Sequence, residues 1–98
     1  MKVEYKTNKL RRECTELKVT NRIYGELMAI KIRQRIEEIS SANSVEMLVE
    51  NSIGRCHPLK GNRKGEYAMD LIHPYRLIFC KMQDKVQIAL IISIEDYH

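Results

Sequence analysis

The apolar pattern of this chain changes period once, at Gly54. Before it, apolar side chains recur every three or four residues; after it, they alternate. The first spacing lays a stripe along a helix, and the second lays one face of a strand against a core. Helices followed by consecutive strands joined by short turns restrict the chain to an α+β fold. Two N-terminal helices are expected to pack on one face of a mainly antiparallel sheet. At 98 residues the chain is read as one domain, 1–98.

The elements follow from local pattern. "KVEYK" reads as a short extended start, and Thr7 or Asn8 can cap a helix whose stripe is Leu10, Cys14 and Leu17. Residues 20–25, "TNRIYG", hold turn formers and a glycine and read as a connection. Residues 26–39 give the clearest helix, with Met28, Ile32, Ile36 and Ile39 on one face, widened by Leu27 and Ile30. After the break at "SSANS", "VEMLVENSIG" reads as a helical turn or loop. "RCHPLKG" reads as an edge strand, because Pro58 cannot donate to a ladder. "EYAMDLI" and "YRLIFCKM" are strands joined at His73-Pro74, and "QDK" is a tight turn. "VQIALIISI", apolar on nearly both faces, is expected to be central.

Composition narrows the class of protein. A hydrophobic fraction of 44% excludes a disordered chain. Seventeen Lys and Arg against 13 Asp and Glu leave a net charge of +4, which permits an anionic partner without demanding one. The first residues lack a signal peptide's apolar core, and no stretch reaches the roughly 20 apolar residues of a membrane span. A cytoplasmic protein is expected. Cys14, Cys56 and Cys80 are an odd, widely spaced set, which fits a reducing compartment.

Candidate chemistry concentrates in three places. The most cationic window, residues 54–66, holds Arg55, His57, Lys60, Arg63 and Lys64, with Gly61 and Gly65 around the last two. It suits a phosphate and equally a solvated loop. Arg76 lies inside a strand, where it requires an ion pair, with Asp70 the obvious partner, or an anion to bind. Asp96, Tyr97 and His98 follow the apolar strand and would be anchored by it, or would form a solvated tail. Cys56, His57, His73, Cys80 and His98 match no zinc-ligand spacing, and no metal is expected.

The stretch "CHPLKGNRKGEYAMDLIHPYRLIF", a following hydrophobic strand and the terminal "IEDYH" together resemble the HigB-like branch of the RelE/ParE toxin superfamily, the plasmid-maintenance killer proteins. The order of features matches over essentially the whole chain, although the helical half matches by pattern alone. The resemblance implies a RelE/ParE-like microbial RNase fold and an mRNA interferase, a metal-independent endoribonuclease that cuts messages in the ribosomal A site. It also implies a HigA-like helix-turn-helix antitoxin, operator DNA bound only through that complex, and no cofactor. Carried over by motif, the catalytic set is His57, Lys60, Arg76, Asp96, Tyr97 and His98.

Metal-free RNA cleavage needs a base for the 2′-hydroxyl, cations for the phosphoryl oxygens and an acid for the leaving oxygen. His57 and His98 suit proton transfer, and Lys60 and Arg76 suit charge stabilisation. Tyr97 would stack on a base or steer the hydroxyl, and Asp96 would orient its neighbours. Arg55, Arg63, Lys64, Arg11, Arg12, Lys31 and Arg35 are the candidate RNA contacts. Two other readings stay open on sequence alone: a ParE-like DNA gyrase inhibitor, and an inactive relative that only binds its antitoxin or regulates the operon.

Overall fold

The computed structural model describes residues 1–83 and 87–96. Among them are four helices, α1 (Asn8–Thr15), α2 (Leu17–Tyr24), α3 (Glu26–Ser41) and α4 (Val45–Glu50). The five strands are β1 (Lys2–Tyr5), β2 (His57–Pro58), β3 (Glu66–Asp70), β4 (Tyr75–Gln83) and β5 (Gln87–Asp96). They form one mixed sheet in the order β1-β5-β4-β3-β2. The strands after Gly54 are antiparallel to one another, whereas β1 joins β5 in parallel, Lys2 opposite Ile88 and Tyr5 opposite Ile91. β5 is thus an interior strand and β2 an edge. Of the expected "QDK" turn, Asp84 and Lys85 lie outside the described residues.

The helical half departs from expectation at residues 20–25. Most of that stretch is the second half of α2, not a connection. Glu16, extended at φ −99° and ψ 108°, separates α1 from α2. The Thr20 hydroxyl then donates to the carbonyl oxygens of Glu13 and Glu16, at 2.6 and 3.0 Å. A residue that looks like a turn former is therefore buried, satisfying carbonyls left over at the end of α1. Thr7 caps α1, its hydroxyl accepting from the Leu10 amide at 3.0 Å. Leu10 and Cys14 are buried as expected, but Leu17 is 51% exposed, because the break at Glu16 takes it off their stripe.

α3 buries Met28, Ala29, Ile32 and Ile39. Leu27 and Ile30, expected to widen that face, point outward at 71% and 57% exposure. Arg35 reverses the other way and is only 11% exposed. Its Nε donates to the Asp70 carbonyl at 2.7 Å and its guanidinium also bonds Glu38 at 2.8 Å.

Leu77 and Phe79 of β4 join Met69, Ala89 and Ile91 in the core under the helices. Ile78, which alternation turns to the opposite face, is also fully buried. The register of β5 slips beside it: Ile78 faces Ser93 but Phe79 faces Ile91, which leaves Ile92 as an extra residue. Helix-facing positions on β5 thus pass from Ala89 and Ile91 to Ile94. That slip, together with Ile88 and Leu90 on the opposite face before it, is why "VQIALIISI" reads as apolar on both parities.

Gly54, at φ +58°, lets the chain pass so close to Arg35 that a Cβ there would stand 2.7 Å from its Nε. The Gly54→Ala variant is expected to lose about 1–3 kcal/mol of stability, read as a lower urea midpoint. An unchanged midpoint would show that Arg35 moves aside without cost.

Candidate active site

Residues opposite each other in a sheet point to the same side. Since Tyr67, Met69, Leu77, Phe79 and Ile94 face the helices, the alternate positions line the other face. One row across it is His57, Ala68, Ile78 and Ser93. The next is Asp70, Arg76 and Glu95. Sequence-distant groups from "CHPLK", "HPYR" and "SIED" are thereby brought onto one surface.

His57 sits in β2, half-buried, with Nδ1 2.8 Å from the Arg55 carbonyl oxygen. A carbonyl only accepts, so Nδ1 carries the hydrogen in that bond. The neutral ring then presents Nε2 as a lone pair, the form a general base requires. Arg55 itself turns to Asp70, donating from Nε and Nη2 at 2.7 and 3.0 Å. This bond, ahead of the nearby arginine charges, holds the Asp70 carboxyl below its ordinary range. Asp70 does stand opposite Arg76, but both its oxygens receive Arg55. Arg76, with Nε buried, contributes with Arg55, Asp70 and His73 to the wall of a cavity of about 100 Å³. His73 is the residue sequence reading left out of this site, because it was weighed only as half of a turn and as a zinc ligand.

The segment between β2 and β3 arches over this face. Leu59 donates to Glu66 at 2.8 Å, and a short helical turn, Gly61–Arg63, follows. Gly65, at φ +97°, brings the chain back into β3 with a geometry that disfavours any side chain. Lys60 and Lys64 are exposed. Arg63 is not spread into solvent: its Nε reaches Glu66 at 2.9 Å, and Nη1 and Nη2 each reach a different oxygen of Glu95 at 2.7 Å. The Ser93 hydroxyl adds a donor to Glu95 at 2.7 Å. The Arg63 hydrogen bonds, foremost, and that of Ser93 lower the Glu95 carboxyl to about 2.

The remaining candidates lie elsewhere. Asp96 is exposed, opposite Tyr75, and so on the alternate side of β5 from Glu95. Tyr97 and His98 lie outside the described residues. Arg11 bonds Asn8, Arg12 bonds Glu16 and Lys31 bonds Gln34, all within the helical layer. With Arg35 bracing α3 against β3, these four are not brought to the Arg76 face. Burial raises the Cys14 and Cys56 thiols to about 12. Among the described residues, no three His, Cys, Asp or Glu side chains are grouped to hold a metal ion.

No protein-family model and no curated protein matches the chain. Among solved structures it is similar to a YoeB/ParE toxin from Agrobacterium tumefaciens, with a TM-score of 0.68 over 100% of both chains at 16% identity. The fold is RelE/ParE-like. At that identity the likeness carries the path of the backbone and not the side chains. Among the described residues, no helix is long and apolar enough to cross a membrane.

The lowered Glu95 carboxyl fixes the sign of a pH effect. A folded value near 2 against an ordinary 4.5 makes its contribution to stability complete above 4.5 and lost as the pH falls toward 2. The stability deficit of Glu95→Gln relative to wild type should therefore be constant near neutrality and close up across that window. Urea titrations at stepped pH test this, and a deficit that persists at pH 2 would contradict it.

Proposed function

We propose that this protein is a ribosome-dependent mRNA interferase, the toxin of a type II toxin-antitoxin pair, of HigB-like type. The observation that carries the reading is the sharing of one sheet face by His57 and Arg76, one register row apart and beneath the Lys60–Lys64 arch. The toxin fold supports it, since the solved neighbour is named a toxin.

In this reading the 2′-hydroxyl of the message attacks the adjacent phosphorus. Nε2 of His57 takes its proton, and the Arg76 fork with the Lys60 ammonium stabilises the charge gathering on the phosphoryl oxygens. His98 returns a proton to the departing 5′-oxygen, Tyr97 stacks on a base, and Asp96 orients the two. The reaction uses no metal. Lys64, exposed on the arch, contacts RNA, so binding weakens as salt rises. A HigA-like helix-turn-helix antitoxin neutralises the toxin, and operator DNA is met only through that complex.

Primer extension on a defined message, on programmed ribosomes and on naked RNA in parallel, tests the proposal. New 5′ ends are expected on ribosomes alone, unchanged by EDTA. His57→Ala, Arg76→Ala and His98→Ala should each lower the cleavage rate by about 100-fold or more while remaining folded. Inhibition by EDTA that added metal reverses would overturn the metal-free mechanism. A folded, growth-arresting protein that cuts neither substrate would point to gyrase inhibition, read in a supercoiling assay.

A further inference from the structure

A cationic loop residue flanked by glycines is the natural candidate for a phosphate contact, and Arg63 has that setting. The geometry describes a different role. Every guanidinium nitrogen of Arg63 is already bonded to a carboxylate: Nε to Glu66, and Nη1 and Nη2 to the two oxygens of Glu95. Nη2 also lies 2.8 Å from Glu66. Glu66 belongs to β3 and Glu95 to β5, and β4 runs between them. The Glu66–Arg63–Glu95 bridge therefore spans two strand spacings, on the order of 10 Å. It crosses β4 between the rows of Cys80, opposite Glu66, and Arg76, opposite Glu95. The residue beneath that crossing is Ile78, fully buried on the face the helices do not cover.

We infer that Arg63, Glu95 and Glu66 form a latch that closes the 59–65 arch over the sheet and sets Lys60 and Lys64 relative to Arg76 and Glu95. Arg63 is then a positioning residue and makes no contact with RNA. Three features support this. The bidentate bond is one that arginine makes and lysine cannot, because only the planar fork presents two parallel donors. The Ser93 hydroxyl donates to Glu95 Oε2, the oxygen that also takes Arg63 Nη2, so the acceptor is held from within its own strand as well. Glu95 also immediately precedes Asp96, so the latch joins the loop to the strand end at a single residue.

The catalytic part of the inference rests on the ribonuclease reading; the latch itself does not. Two variants separate latch from RNA contact. Arg63→Lys keeps the cation and loses the fork. Glu95→Gln removes an anion from the face, which would strengthen RNA binding if electrostatics alone mattered. On programmed ribosomes, each is expected to lower kcat by about 30- to 100-fold, the scale of a displacement near 1 Å. KM should stay within about threefold, and the double variant should be no worse than either single one, as for two halves of one interaction. Wild-type kcat in Arg63→Lys, or a lower KM with unchanged kcat in Glu95→Gln, would overturn the latch.

A second arm needs neither ribosome nor RNA. Trypsin cleavage after Lys60 and Lys64, followed by mass spectrometry, should be about tenfold faster in full-length Glu95→Gln than in wild type, because the arch opens locally more often. Equal rates would sink the latch whatever the activity. If wild type cuts no message, the ribonuclease reading fails and this arm decides the latch alone. If Glu95→Gln does not fold, Glu66→Gln is read instead; faster nicking supports the latch and an unchanged rate overturns it.

Discussion

Strand β4 is buried on both sides at its middle. Leu77 and Phe79 meet the helices, while Ile78 faces away from them and is equally inaccessible. A sheet with helices on one side only cannot achieve this unaided. Something must cover the second face, and the chain supplies the arch between β2 and β3, held by Arg63 across β4. The slip that leaves Ile92 unmatched lies next to this point, re-aiming β5 so that Ser93 and Glu95 face the arch. The same crossing brings the cationic loop, the mid-sheet arginine and Glu95 onto one surface.

Charge on that surface is ordered by pairing. Read across the strands, Arg55 meets Asp70, Arg76 stands between Asp70 and Glu95, and Glu95 meets Arg63. Carboxylates at such positions would neutralise a phosphate site if they faced the ligand unpartnered. Here Asp70 and Glu95 each accept a two-point bond from an arginine outside the Arg76 row, so they orient cations rather than repel an anion. Such a surface can serve a phosphate with a net chain charge of only +4. Orientation, more than total charge, is what the reaction proposed for it requires.

The α+β class was legible because it depends on periodicity, which each segment carries within itself, although four helices and a parallel β1 stand where two helices and a mainly antiparallel sheet were expected. Thr7 as a cap, the α3 face of Met28, Ile32 and Ile39, and Pro58 at an edge all follow from local rules. Reading failed where a side chain answers to a distant group. Thr20 looked like a turn residue, but its hydroxyl satisfies carbonyls at the end of the preceding helix. Arg35 looked like surface, but its partner is a backbone oxygen 35 residues away. Leu27 and Ile30 looked like core, although α3 meets the sheet over a narrower arc than its apolar residues span.

The candidate site divides along the same line. By itself, the sequence determined which residue types were present and roughly where: His57, Lys60 and Arg76 stand in motifs that propose their own chemistry. It also determined that the helices precede the antiparallel strands β2 to β5. Only the tertiary structure decided which cations are engaged with carboxylates and which side of the sheet each occupies. It paired Arg63, a candidate RNA contact, with Glu66 and Glu95, gave Asp70 to Arg55 and set His73 and Arg76 around one cavity. The physical reason is that a helix or strand is specified by neighbours in the chain, whereas an ion pair across β3, β4 and β5 is specified by register. Register was settled by burying Leu77, Ile78 and Phe79 together.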